Sequence, residues 1–472
     1  MEDSFLISIN VWPVAIATPR RMNTESQLTR LGLFDARVPR YTSYPTAPHF
    51  SASVNEGHFT DWIQAIPGGS QISLYIHVPF CRRLCWFCAC RTQGTRTNSP
   101  VQAYVETLKA ELALLRRHLP RSVTLSRLHW GGGTPTLLTP DMMRDLTDSI
   151  FDVVQLGENA EFSVEIDPNE IDGDRLDVLA AAGMNRASIG VQDFDPQIQE
   201  VIGRIQSYDL TRQAADMIRE RGIISLNADI LFGLPHQSRE RITESVQKLL
   251  SLTPDRVALY GYAHVPWMAK RQQMLPSDAL PTPEERLQLF ETARRLFLWD
   301  DYREIGIDHF ARPGDGLEVA QRTGRLRRNF QGYTDDTADV LIGLGASSIS
   351  RFPQGFAQNL SSTSEYTGRV REGRFATGRG HIFTPDDKLR SRMIEALMCD
   401  FRIDAAEMKS SFGITDAQLD ALFRPIKDTF GDMVELSQDG LFVPQKGRPL
   451  TRIIARGFDA YDLSKAGHSS AI

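Results

Sequence analysis

Between residues 70 and 310, short apolar runs alternate with longer amphipathic stretches, the pattern of a parallel sheet joined by crossover helices. The runs Ile72–Val78, Leu125–Trp130, Glu161–Ile166, Arg186–Gly190, Ser225–Ile230 and Arg256–Tyr260 predict strands. Spacing near 3.6 residues predicts helices over Val101–His118, Asp141–Phe151, Asp174–Ala182, Thr211–Arg221 and Arg239–Leu252. From about Phe383 the alternation stops. Helices over Asp387–Cys399 and Asp416–Leu422 and a hairpin around Gly440 then predict a separate C-terminal domain. No tandem repeat or low-complexity tract interrupts the chain.

The unusual residues gather where these strands end. Cysteines follow the first strand, and Gly131-Gly132-Gly133-Thr134-Pro135-Thr136 follows the second. Glu165 and Asp167 close the third, Gln192 and Asp193 follow the fourth, Asp229 ends the fifth, and Tyr260 to His264 follow the sixth. In a barrel of parallel strands all these ends open on one face, where sites are built.

Bulk properties narrow the function. A chain of 472 residues holds about three average domains or one large barrel with appendages. Its net charge of -6 argues against general nucleic-acid affinity. No apolar run approaches the roughly 20 residues that span a bilayer, and clustered reduced cysteines point to the cytoplasm. Phe5 to Ala17 is moderately apolar, but Glu2 and Asp3 precede it and Arg20 and Arg21 follow, the reverse of a signal peptide. Residues 1–24 read as an extension without a motif, arising from start-codon choice at Met22 or forming a disordered tail.

Four of the five cysteines fall within ten residues: Cys81, Cys85, Cys88 and Cys90. Three thiolates at C-x3-C-x2-C spacing can hold three irons of a cubane and leave the fourth iron open, whereas electron carriers usually use four cysteines. Zinc is the competing metal, yet a structural zinc site draws two pairs of ligands from separated segments. Here only the distant Cys399 remains. Inert thiols are the third reading, and a disulfide scaffold has no other support.

The segment Tyr75-Ile-His-Val-Pro-Phe-Cys81, continuing through Cys85, Phe87, Cys88 and Cys90, resembles the radical S-adenosylmethionine (SAM) enzymes, and within them the oxygen-independent coproporphyrinogen III oxidases. The resemblance runs from about residue 25 to residue 460. It implies a partial (β/α)6 barrel over 70–380, an N-terminal arm over 25–69 and a mainly helical C-terminal domain over 381–472. It implies a [4Fe-4S] cluster on Cys81, Cys85 and Cys88, with Cys90 and Tyr75 as catalytic residues. It further implies two SAM molecules, held among Tyr75, Phe87, Gly132, Gly133, Thr134, Glu165, Gln192, Arg204, Asp229, Ala263 and Ile349, with Phe330 and Gln331 nearby and His309 a further candidate. The implied partners are coproporphyrinogen III and reduced flavodoxin or ferredoxin, with no nucleic acid and no membrane, for a monomer.

Several of these residues have plainer readings. Three glycines relax the backbone of any tight turn, though after a strand they also bring bare peptide groups close to a small polar ligand. Asp167 before Pro168 reads as a turn residue. Arg204 is by default solvated, but a methionine carboxylate needs a charged, fork-shaped partner. A carboxylate facing a barrel interior, such as Glu165, must be paired or bound. Asp229 suits a ribose diol. Arg82, Arg83, Arg91 and Arg96 form a solvated surface, or steer an anionic electron carrier or substrate propionates. The arm Pro39-Arg40-Tyr41-Thr42-Ser43-Tyr44-Pro45 is a surface linker or, as in the family, a cover over the site.

Two positions depart from the family pattern. Ala89 stands where glycine is common, straining the loop if that backbone needs positive φ, and Trp86 replaces a more usual tyrosine. The rival functions are a haem chaperone of the same superfamily, whose members typically lack the equivalents of Cys90 and of the arm, and a radical SAM methyltransferase that opens the haem ring.

Overall fold

The computed structural model describes residues 26–462 and 470–472. The expected extension over 1–24 therefore lies outside the described residues. All six sequence-predicted strands form, as β1 Gln71–Val78, β2 Thr124–Gly132, β3 Leu156–Ile166, β4 Arg186–Gln192, β5 Ser225–Phe232 and β6 Arg256–Gly261. The crossover helices between them are α1 Ser99–His118, α2 Pro140–Phe151, α3 Gly173–Ala181, α4 Tyr208–Glu220 and α5 Arg239–Ser251. Their starts are locally encoded. Thr139 accepts from Met142 N–H ahead of Pro140, and Ser207 and Ser238 cap α4 and α5 in the same way.

β1 to β6 pair in parallel and in sequence order. The sheet continues past β6 through α6 Pro283–Trp299 into the antiparallel pair β7 Arg303–Ile305 and β8 His309–Ala311. On its other edge β9 Leu341–Leu344 pairs parallel with β1, Ser73 opposite Leu341. Three antiparallel strands follow there, β10 Ile349–Phe352, β11 Gly355–Asn359 and, after helix α7 Thr363–Arg371, β12 Thr377–Ile382. The result is one twelve-stranded sheet that does not close on itself.

Alternation along the strands separates core from site. Ile72, Leu74, Ile76 and Val78 of β1 are buried against the helices, while Ser73, Tyr75 and His77 face the barrel interior. The same inward set is Arg127 and His129 in β2, Glu161, Ser163 and Glu165 in β3, and Asn227 and Asp229 in β5. An interior this polar is built to hold ligands, unlike the apolar layers that fill a closed barrel. Its floor is closed by ion pairs: Arg127–Asp335 at 2.8 Å, Arg186–Glu161 at 2.6 Å and Arg256–Asp315 at 2.7 Å.

A second apolar core lies in the C-terminal part, around α8 Pro385–Asp400, α9 Ala405–Phe412, α10 Asp416–Phe430 and α11 Thr451–Arg456. A small sheet accompanies it: β13 Arg402–Asp404 and the hairpin of β14 Glu435–Ser437 and β15 Gly440–Phe442. Leu33, Val38, Tyr41 and Tyr44 of the arm are buried in this core, whereas Phe59, Trp62 and Ile63 join the barrel core. No described helix is long and apolar enough to cross a membrane.

Candidate active site

The cysteine loop leaves β1 at Pro79 and is pinned at both ends. Phe80–Cys81 pairs with Gln93–Gly94, and Thr95 N–H donates to Cys81 O at 3.0 Å. Trp86 N–H donates to Ile202 O at 2.9 Å, and Arg271 holds the Thr92 hydroxyl and carbonyl at 3.0 and 3.1 Å. Cys81, Cys85 and Cys88 are half-buried, and Cys90 is exposed. Ala89 is not among the residues with positive φ, so its methyl group imposes no backbone strain there.

The sulfurs differ in environment. Burial pushes Cys81 up to about 11 and raises Cys85, against which only Arg204 works as a cation. Cys88 is held below the usual thiol range because Cys90 turns both its thiol and its N–H toward that sulfur, the latter at 3.4 Å. Cys90 thus behaves as a donor to Cys88. Among the described residues no three His, Cys, Asp or Glu side chains converge on a single metal ion. The thiolates of a cluster bind different irons and need no such convergence.

The glycine run is required by close approach. Gly132 has φ +111°, and a Cβ there would lie 2.5 Å from the His77 ring. A Cβ on Gly131 would meet Glu165 at 2.7 Å, and one on Gly133 would meet Phe80 O at 2.6 Å. Gly132 N–H donates to Glu165 at 3.0 Å, while Thr134 hydrogen-bonds the Cys81 sulfur. Burial alone would raise Glu165, but His129 and the Gly132 N–H hold it below the ordinary carboxylate value.

Across the barrel, Arg204 donates to Gly190 O at 2.9 Å, to Asp167 at 3.3 Å and to Cys85 Sγ at 3.6 Å, and its Nε has no partner. Asp167 is therefore both a turn residue, accepting from Asn169 N–H, and the counter-ion of this arginine. Gln192 takes φ +67°, where β4 bulges against β5. Asp229 accepts only from Asn227, at 2.9 Å, and burial pushes its carboxyl up to about 7.

Tyr75, His129, Glu165, Asp229, Tyr260 and His309 border a cavity of about 260 Å³, whose lining does not include Arg204, Asp167 or Gln192. The Tyr75 phenol lies 2.9 Å from His77 Nδ1 and its ring stacks on His129 with centroids 5.7 Å apart. His309 Nδ1 is 2.7 Å from Asp308, and Gln331 borders the cavity with its Oε1 unpaired. Phe330 turns away to meet Phe356 edge-on at 5.6 Å. Ile349 lies outside this lining, in β10 with its carbonyl against Gly343.

Phe87 and Ala263 are brought together by Gln272, whose Nε2 donates to both carbonyls, at 2.7 and 3.0 Å. This fully buried glutamine was not singled out from sequence, nor was His129. His129 had a signal, since it shares the inward face of β2 with Arg127 and Gly131. The donor set fits an iron–sulfur cluster beside a charged nucleoside: three soft sulfurs, a guanidinium whose Nε has no partner, and two interior carboxylates, Glu165 and Asp229.

Comparison with known proteins agrees with this geometry. Residues 75–249 match the radical SAM superfamily. The oxygen-independent coproporphyrinogen III oxidase of Paracoccus denitrificans is 66% identical over 451 residues, spanning 96% of this chain and 100% of that protein. The oxygen-independent coproporphyrinogen III oxidase of Escherichia coli is 38% identical over 433 residues, covering 91% of this chain and 94% of that one. The solved coproporphyrinogen III oxidase from Escherichia coli, described as a radical SAM enzyme, superposes with a TM-score of 0.86 at 35% identity, over 90% of this chain and 100% of that one.

Proposed function

The chain belongs to the oxygen-independent coproporphyrinogen III oxidases of the radical SAM superfamily, and from that premise we propose how its own residues divide the work. It is an oxidoreductase of haem biosynthesis that uses a [4Fe-4S] cluster and SAM to convert coproporphyrinogen III to protoporphyrinogen IX without oxygen. When bound, that pair supplies a 5′-deoxyadenosyl radical that takes hydrogen from the β-carbon of a propionate, after which carbon dioxide and one electron leave and a vinyl group remains.

Cys81, Cys85 and Cys88 hold the cluster. Arg204 orients the methionine carboxylate with its unpartnered Nε–H, Glu165 accepts from the amino group, and Asp229 accepts from the ribose hydroxyls. Gly132, Gly133 and Thr134 let main-chain groups approach the ligand where no side chain fits, and Gln192 borders it. Phe87 and Ala263, tied by Gln272, hold the adenine side, while Ile349 belongs to a second SAM position. Tyr75 and Cys90 stand next to the reacting centre, Tyr75 as a phenol kept neutral by burial and Cys90 as a thiol outside the ligand set. The surrounding wall excludes water from the radical step.

We assign residues 25–69 to the arm, 70–380 to the barrel and 381–472 to the C-terminal domain. The electron donor is reduced flavodoxin or ferredoxin, meeting the exposed Arg83 side of the cysteine loop. The chain acts as a monomer in the cytoplasm.

The observation that carries this assignment is Arg204, a single guanidinium set between the Cys85 thiol and the Asp167 carboxylate just past β3. The test is anaerobic incubation with coproporphyrinogen III, SAM and a reductant, followed by mass analysis of the porphyrin. Two successive losses of carbon dioxide with formation of 5′-deoxyadenosine are expected. Tight haem binding with SAM cleavage and no vinyl product would overturn the assignment in favour of a chaperone.

A further inference from the structure

Beside the outer ends of β5 and β6 lies another cavity, of about 120 Å³, that the chemistry above does not use. Its wall carries six arginines, Arg40, Arg286, Arg294, Arg328, Arg448 and Arg452, against three acids, Glu291, Glu304 and Asp308. All three acids are already engaged. Glu304 holds Arg294 at 2.9 Å and Arg448 at 3.0 Å, and Glu291 stands 3.5 Å from Arg294. Asp308 holds His309 at 2.7 Å and faces Arg328 at 3.6 Å.

Among the described residues Arg40 and Arg452 form no ion pair, and Arg286 forms none with an acidic side chain. Arg40 donates to Gly261 O at 2.5 Å and Arg452 to Val38 O at 2.6 Å and Ala471 O at 2.9 Å, while Arg286 donates to Tyr262 O at 2.8 Å and, at 3.1 Å, to a terminal carboxylate oxygen of Ile472, the last residue of the sequence. Arg328 is 8% exposed and leaves Nε and Nη1 without a hydrogen-bond acceptor. Burial, together with repulsion from Arg40, pushes Arg286 down to about 10 and Arg452 down to about 9. Half-buried guanidinium groups short of counter-ions, as at Arg40 and Arg452, are costly. The partner whose shape and charge match the planar fork is a carboxylate.

The position connects this pocket to the barrel mouth. A Cβ on Gly233, just past β5, would lie 2.2 Å from Arg286 Nη1, and one on Gly261 would lie 3.4 Å from its Nη2. Asp308 is followed by His309, which borders the barrel cavity, and Tyr260 in that cavity feels the charges of Asp308, Arg328 and Arg40.

We propose that this pocket is a carboxylate subsite that holds one propionate of the tetrapyrrole substrate, an inference that rests on the oxidase assignment. The propionate held here is one that the reaction leaves intact. Cations around a carboxylate stabilise its charged form relative to neutral carbon dioxide, so they oppose decarboxylation at that position. The pocket also draws from three parts of the chain, Arg40 from the arm, Arg286 from α6 and Arg452 from α11. An anchored carboxylate therefore fastens the arm over the barrel while the other end of the macrocycle reaches the reacting centre.

The test is a fluorescence titration of cluster-loaded protein with coproporphyrin III, the oxidised and unreactive form of the substrate, and in parallel with its tetramethyl ester. In Arg286→Gln and Arg40→Gln, read on protein whose iron content and melting temperature match wild type, affinity for the free acid is expected to fall about tenfold or more. Affinity for the ester is expected to stay within about twofold, and Arg286→Lys to lose less than Arg286→Gln. Unchanged affinity for the free acid in both glutamine variants would overturn the subsite, and so would an equal loss for acid and ester. A wild-type protein that binds the free acid through these arginines yet makes no protoporphyrinogen would instead overturn the oxidase assignment and leave the subsite standing.

Discussion

Arg204 reaches from beyond β4 to within 3.6 Å of the sulfur of Cys85, so a cation bound by Asp167 also touches the cysteine loop. Burial works against its charge, but Asp167 and Cys85 hold it above the ordinary arginine value. Replacing it removes a charged partner from an interior site, which typically costs about 2–5 kcal/mol of binding. Arg204→Ala is expected to weaken SAM binding by that order and to stop vinyl formation. Equilibrium dialysis with labelled SAM checks it, and unchanged binding would assign the residue to loop support alone.

Serine at Cys81, Cys85 or Cys88 is expected to abolish the reconstituted cluster. Serine at Cys90 should leave most of the iron bound while turnover falls, because Cys90 only donates toward Cys88. Iron and sulfide analysis of the four variants decides, and equal loss in all of them would make Cys90 a ligand.

Gly132→Ala combines an unfavourable φ with contact against the His77 ring. It is expected to lower the melting temperature and eliminate activity together. Gly368→Ala in α7 provides the opposite case: nothing lies within 4 Å of the new methyl group, and the change should stabilise by about 0.5–1 kcal/mol. Denaturant unfolding of the pair tests whether space and backbone angle, rather than glycine as such, set the outcome.

Asp229 gives a pH dependence. Its carboxyl, raised from 3.8 to about 7 by burial, keeps a proton in the folded chain where the unfolded chain has lost it. The unfolded state thus binds fewer protons between about pH 4 and about pH 7, and stability falls as pH rises through that window, levelling above it. Asp229→Asn should flatten this slope in thermal melts of the SAM-free protein and weaken SAM binding. An unaltered slope would mean that Asp229 ionises normally.

Deletion of residues 1–21 is expected to leave cluster content and activity nearly unchanged. Deletion through Tyr44 also removes Leu33, Val38, Tyr41 and Tyr44 from the C-terminal core, so it should cost solubility as well as activity. Inactivation of a soluble, cluster-bearing protein by the shorter deletion would make the extension functional.

The six barrel strands and their helices were legible because each strand carries its apolar set on one face and its chemistry on the other. That is a local pattern, and the ends differ by only a few residues. β9 is not among the predicted strands, because Leu341–Leu344 is four residues long and gains its identity only by pairing with β1, far away in sequence. Glu165, Arg204 and Asp229 stood out through motif and resemblance. Gln272 did not, since its meaning is a contact with Phe87 across 185 positions. Arg286 follows Glu284 and Glu285 at the start of α6 and reads as part of a solvated face until the fold buries it.

The ion-paired floor of the barrel sets the traffic of the site. With Arg127, Arg186 and Arg256 clamped to acids below, entry to the interior is left to the mouth and to the side where the sheet does not close on itself. A nucleoside seated at the level of Glu165 and Asp229 lies beneath any macrocycle resting on the rim. On the proposed assignment, depth rather than any partition separates the two ligands.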